Sequence, residues 1–137
     1  NLDGAKRTIS NAIKDANISP NDVDYINAHG TGTLLNDKVE CKAINQVFKE
    51  NIKKLLVSST KSMHGHLIGG SGAIELIACI MALEKNIIPP TINFDKTDPE
   101  CEVNVVPNFS IKKEVKYVMS NSFAFGGMNA VLVLKKF

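Results

Sequence analysis

A chain of 137 residues, 44% hydrophobic and 22% charged, has the size and composition of one soluble globular domain that can build a core. Its formal net charge of +2 sets up no strong field, so neither nucleic acid nor a membrane surface is an expected partner. Three cysteines, Cys41, Cys79 and Cys101, lack C-x-x-C spacing and predict neither a disulfide framework nor a zinc ribbon, which makes a reducing compartment the default. The opening Asn1-Leu2-Asp3-Gly4 has no initiator Met, basic n-region or apolar h-region, so no targeting peptide is expected and the chain reads as cut from something longer.

In chain order, Leu2, Ala5, Ile9, Ala12, Ile13 and Ala16 recur at helical spacing, and Ser19-Pro20-Asn21-Asp22 ends that helix in a turn. Val23 to Ala28 reads as a strand that stops at Gly30 and Gly32, which places His29 at a strand end. Asn36 or Asp37 is a suitable cap for a second helix, with Glu40 near its first turn and Val39, Ala43, Ile44 and Val47 as its buried stripe. Leu55 to Ser58 is a second strand, and the polar, glycine-rich Ser59 to Gly72 follows it as a loop at the carboxyl edge of a sheet. The helix from about Gly72 to Glu84 is apolar nearly all round; with Glu75 inside it and too few residues to cross a bilayer, it should be a core helix covered on every side. Ile88-Pro89-Pro90 opens an extended stretch, Thr97-Asp98-Pro99 marks a turn, and Val103 to Val106 is a short strand. Val115 to Ser120 and Ala130 to Lys135 form a hairpin around the loop Asn121 to Asn129. Alternating helices and strands give an α/β class with a mixed sheet between helices.

All three histidines fall in two glycine-rich loops that follow strands, Asn27-Ala28-His29-Gly30-Thr31-Gly32-Thr33 and Ser59-Thr60-Lys61-Ser62-Met63-His64-Gly65-His66, so they can converge at one sheet edge or be ordinary surface histidines. A metal site built on His64, His66 and His29 is disfavoured because no carboxylate or cysteine stands at ligand spacing and Lys61 adds positive charge. Gly69-Gly70-Ser71-Gly72-Ala73 narrowly misses a nucleophile elbow, since Ala73 stands where glycine is needed. Gly30-Thr31-Gly32 and Gly69-Gly70 do not continue as nucleotide-binding loops. Glu75, in an apolar helix, needs either a cation, for which Lys61 is the nearest candidate, or an exit to solvent at the helix start.

These two histidine segments, together with Asn121-Ser122-Phe123-Ala124-Phe125-Gly126-Gly127-Met128-Asn129 and the intervening Pro89-Pro90-Thr91-Ile92-Asn93, resemble the ordered motifs of the beta-ketoacyl-ACP synthases, most like the type II elongating enzyme. The resemblance runs over essentially the whole chain and implies its C-terminal half, residues 1–137 of a thiolase-like layered fold whose two similar halves each hold a five-stranded sheet, here without the first strand. It implies a decarboxylating Claisen condensation in which an acyl group held on a cysteine is attacked by a carbanion made from malonyl-ACP. The motif match makes His29 and His66 the histidine pair, Lys61 the lysine, and Phe125 the gating residue whose backbone N–H joins an oxyanion hole. Glu75, Thr31, Thr33 and Asn129 are supporting residues. His64 stands where threonine is usual, Ala124 where glycine is common and Met128 where threonine is usual, and His64 leaves open which imidazole acts, although the neighbours Leu67-Ile68-Gly69 favour His66.

No metal and no cofactor is implied, the substrate being carried on the phosphopantetheine of acyl carrier protein; the implied partners are that carrier and a second copy in a homodimer. None of the three cysteines sits in a suitable elbow, so the nucleophile is expected upstream and this segment alone is expected to be inactive and unstable. A non-catalytic chain-length-factor-like partner and a polyketide ketosynthase domain are the competing readings; thiolases and the initiating synthases fit the motifs less well. Lys53, Lys54, Lys112 and Lys113 either dock an acidic carrier or are simply solvated. The many Asn, Lys and Ile residues point to an AT-rich genome and hence to a bacterial cytoplasm or a plastid-like, apicoplast-type organelle.

Overall fold

Helix α1 (Leu2–Asp15) buries Ala5, Ile9 and Ile13, a stripe at i, i+4 and i+8, and the Asn1 side chain caps it by accepting the Asp3 N–H at 3.0 Å. The computed structural model describes residues 1–137. Ser19 and Asp22 form a capping box around the following 3-10 turn, which delivers the chain to β1 (Tyr25–Asn27). Helix α2 (Leu34–Phe48) then begins three to four residues earlier than its sequence predicts. Thr33, not Asn36 or Asp37, is the cap, its hydroxyl accepting the Asn36 N–H at 3.4 Å. Strand β2 (Leu56–Ser58) follows. The expected loop from Ser59 contains one α-helical turn, α3 (Lys61–His64), and a 3-10 turn (Ile68–Gly70) before α4 (Ser71–Lys85). The remaining strands are β3 (Ile87–Ile88), β4 (Asn104–Val105), β5 (Ile111–Lys112), β6 (Tyr117–Phe123) and β7 (Asn129–Lys135). Strand β6 runs three residues past its expected end because Asn121, Ser122 and Phe123 continue the ladder with β7, which shortens the hairpin loop.

One mixed sheet has the order β4-β2-β1-β6-β7, parallel except for the antiparallel β6–β7 hairpin, and β3 with β5 forms a small second sheet. The pleat sends alternate residues to opposite faces. Ile26, Ala28, Leu55 and Val57 join α1 and α2 in one core, while Tyr25, Leu56 and Val118 join α4 in the other. The sheet is therefore the middle of three layers. No helix is long and apolar enough to cross a membrane.

Three further expectations are corrected. The main sheet holds all five strands implied for each half, so no first strand is missing from it. Helix α4 is not covered on every side: Ser71, Glu75, Cys79, Ala82 and Leu83 face the sheet, whereas Ile74, Ile77, Ile80 and Met81 remain exposed. A single sheet can cover only one side of a helix that is apolar all round. The cysteines do form a disulfide, between Cys41 and Cys101, with a Cα separation of 5.2 Å. Sixty residues separate the two, so no local spacing announces the pair. It arises because α2 and the segment entering β4 lie side by side.

Candidate active site

Strands β1 and β2 are parallel neighbours with Asn27 opposite Ser58, so the loops leaving their carboxyl ends emerge together. The loops are then stitched to each other. Asn27 donates its amide to Thr60 Oγ1 at 3.0 Å and accepts the Thr60 N–H at 3.2 Å, and Ser59 Oγ donates to the Gly30 carbonyl at 2.8 Å. Gly30 has φ +39°, and a Cβ there would lie 2.5 Å from that of Ser59, so the close approach requires glycine.

The His29 turn is held from below by a buried carboxylate. Glu40 Oε1 accepts the His29 N–H at 2.9 Å and the Asn121 amide at 3.1 Å, while Oε2 accepts the Gly30 N–H at 2.9 Å. Burial pushes the Glu40 carboxyl up, and these donors pull it back towards the ionised form. Sequence reasoning placed Glu40 only near the helix start. A signal was present, because Glu40 lies three and four residues before Ala43 and Ile44 and so shares their buried face.

His29 and His66 face each other with ring centroids 5.6 Å apart and planes 87° apart, and Phe123 lies edge-on to His29 at 6.1 Å. Burial, then the Lys61 charge, then His66 lower the His29 pKa to about 4, so its ring is neutral near pH 7. Its Nδ1 has no protein partner. His66 Nδ1 lies 3.0 Å from the Ile68 N–H, which can only donate, and 3.0 Å from Ser71 Oγ, itself an acceptor of the Leu67 N–H at 2.9 Å. Nδ1 of neutral His66 is thus an acceptor, and the proton resides on Nε2. Ser71, whose glycine-rich setting resembles a nucleophile elbow, contacts His66 Nδ1 instead.

His64 is held within its own turn. Its Nδ1 lies 2.7 Å from the Gly65 carbonyl and its Nε2 3.1 Å from Thr60 Oγ1, so both nitrogens are occupied within its own turn. Glu75 does not reach solvent: it forms a buried ion pair with Lys61, the two side chains being 1% and 4% exposed. Cys79 is buried in α4, and burial pushes its thiol up to about 12, which leaves it protonated and unreactive at neutral pH.

The other expected site residues are less closely gathered. Thr31 and Thr33 share a hydroxyl contact of 3.1 Å at the lip of the site, and Thr33 also caps α2. Phe125 occupies a 3-10 turn between β6 and β7 and is 99% exposed; the aromatic ring beside His29 is that of Phe123. The Asn129 amide lies 3.2 Å from where a Cβ of Gly4 would stand, so Asn129 is brought to α1 rather than to the histidines. No group of three or more His, Cys, Asp or Glu side chains is arranged to hold a metal ion.

The family described as beta-ketoacyl synthase, C-terminal domain, matches residues 1–95. Over 134 residues the chain is 49% identical to a 3-oxoacyl-[acyl-carrier-protein] synthase 2 of Synechocystis sp., covering 98% of this chain and 32% of that protein. It is 44% identical over 135 residues to Nodulation protein E of Rhizobium sp. (strain N33), covering 98% and 34% respectively. The solved ishigamide ketosynthase/chain length factor superposes with a TM-score of 0.96 at 44% identity, over 100% of this chain and 34% of that one. The chain thus spans about a third of the length of the relatives it matches.

Proposed function

The chain belongs to the beta-ketoacyl synthase family, and from that membership we propose that it supplies the histidine pair of a condensing enzyme that elongates acyl chains with malonyl-ACP. The carrying observation is the facing pair His29 and His66, one neutral by burial and the other with its proton directed to Nε2. Loss of carbon dioxide from a malonyl thioester builds negative charge on the thioester oxygen. Neutral imidazoles can each donate an N–H to it, with no proton transferred in the ground state. One such donor contributes about 3 kcal/mol. The carbanion then attacks the carbonyl carbon of an acyl group held on a cysteine contributed by sequence outside this chain. The new C–C bond forms as the cysteine leaves as thiolate.

Lys61, paired with Glu75, keeps its ammonium beside His29 and adds to burial in holding that ring neutral. Thr31 and Thr33 stand at the lip where a phosphopantetheine arm would enter, and the Phe125 turn, exposed here, would close over the acyl thioester with its N–H as a second oxyanion donor. In this reading the longer protein is a homodimer that receives both substrates from acyl carrier protein, and the segment alone is inactive. The Synechocystis relative's name, a 3-oxoacyl-[acyl-carrier-protein] synthase, supports a 3-oxoacyl-ACP product, and the fatty-acid-elongation reading rests on that. Retention of both histidines and Lys61 weighs against a non-catalytic chain-length factor, which has no use for oxyanion donors. The relatives are bacterial, which favours a bacterial cytoplasm over a plastid-like organelle.

The test is incubation of the full-length protein with acyl-ACP and malonyl-ACP, followed by mass analysis of the carrier-bound products. One 3-oxoacyl-ACP formed per carbon dioxide released is expected. Absence of any chain two carbons longer would overturn the reading, and a product extended repeatedly without reduction would favour the polyketide alternative.

A further inference from the structure

The Cys41–Cys101 pair stands outside the histidine site but is connected to it. Cys41 follows Glu40 directly on α2, and Glu40 holds the His29 and Gly30 amides. Cys101 lies in the segment entering β4, whose residues 95–100 are all exposed. The same segment is tied to α2 one helical turn earlier by the ion pair Lys38–Glu100, which is half exposed. A groove of about 300 Å³ runs between them, walled by Leu34 and Asp37 on the helix side and by Phe94, Thr97 and Cys101 on the other.

Two physical points make the sulfur bond the decisive tie. An exposed ion pair contributes little and is screened by salt. The β4 segment itself has only two residues in its ladder with β2, so little backbone pairing anchors the loop that precedes it. Cys41 is 7% exposed and Cys101 more so, which makes Cys101 the sulfur that a small reagent reaches first.

We propose that Cys41 and Cys101 form a reversible thiol–disulfide clasp, closed by a low-molecular-weight disulfide of the glutathione class, that fixes residues 95–101 against α2 and shapes the groove beside the His29 loop. In closing, the Cys101 thiolate attacks one sulfur of the reagent and expels one thiol, leaving a mixed disulfide. The Cys41 thiolate attacks Cys101 Sγ and expels the second thiol. The two protons lost by the cysteines appear on the two released thiols, the cysteines are oxidised by two electrons and the reagent is reduced by two. Opening is the reverse, with a reduced thiol attacking Cys101 and Cys41 leaving.

The clasp does not depend on the condensation chemistry, so it is tested by thiol state rather than by turnover. Full-length protein is equilibrated natively at graded ratios of oxidised to reduced glutathione, alkylated with iodoacetamide and mapped by peptide mass. Limited digestion with a lysine-specific protease at Lys96 is followed in parallel. The expected result is that labels on Cys41 and Cys101 appear and vanish together, that the cross-linked peptide replaces them at oxidising ratios, that Cys79 stays unlabelled throughout, and that Lys96 is cut several-fold faster in the reduced form. Cys101→Ser, at the less buried partner, is expected to show the fast cut at every ratio. The proposal is overturned if the cross-link never forms, if it survives excess dithiothreitol in the native protein, if the two cysteines titrate independently, or if Lys96 is cut at one rate in both states.

Discussion

The turn that carries His29 and the turn that carries Phe125 both contain glycine at positive φ and both leave a strand of the same sheet, yet they are held in opposite ways. The first rests on Glu40 through two backbone amides, is stitched to its neighbouring loop by Ser59 and Asn27, and has its histidine buried. The second makes one backbone bond across its base, from the Ala124 N–H to the Met128 carbonyl at 3.1 Å, and its Phe125 is fully exposed. In the proposed reading, the turn that must be ready before substrate arrives is thus the one set by buried groups of this chain. The Phe125 turn, to which that reading assigns closure on substrate, is held by no such groups here.

Substitutions in the full-length protein sharpen that contrast. Glu75→Ala strands Lys61 as a buried unpaired cation and is expected to cost about 3–5 kcal/mol in a urea titration. Glu40→Ala leaves the His29, Gly30 and Asn121 donors without an acceptor and is expected to cost about 2–4 kcal/mol, with decarboxylation falling in step as His29 loses its anchor. A Glu40→Ala protein as stable as wild type would erase the distinction between the two turns. A smaller effect is expected from pH. Folded His29 takes up its proton only near pH 4, whereas the unfolded chain does so near 6.5. The unfolded state therefore binds more protons between those values, so stability falls as pH drops from about 6.5 to about 4 and is flat in this respect above 6.5. His29→Gln should flatten that part of the pH–stability curve. Ser71→Ala removes one hydroxyl from His66 while the Ile68 N–H remains, and a loss of about 1 kcal/mol is expected. Phe125→Ala, at the free turn, should change stability by less than about 0.5 kcal/mol, so any effect on condensation would be one on substrate and not on folding.

Much of this architecture is legible without coordinates. The 3.6 period of α1, the strand ends at Asn27 and Ser58, and the glycines after them place both histidine loops at one sheet edge. What escapes is long-range. Glu40 is read as a residue of the helix start because nothing local shows which amides it faces. Ser71 is a local exception: Gly69-Gly70-Ser71-Gly72 resembles a nucleophile elbow, and only the fold shows that its hydroxyl meets His66 five residues back. The Cys41–Cys101 pair depends on how β4 returns to β2, and two-residue strands such as β4 and β5 leave no periodicity to detect. The exposed side of α4 could not be foreseen either, since an apolar run says that a helix needs cover but not that this chain supplies cover on one side only.

The central claim is that His29 and His66 act together as neutral donors to a developing oxyanion. It is tested most directly by measuring carbon dioxide release from malonyl-ACP by the full-length protein and by its His29→Ala and His66→Ala variants. Loss of about a hundredfold to a thousandfold in each variant is predicted for a missing oxyanion donor; wild-type rates in both, with the fold intact, would contradict the account and make the pair structural.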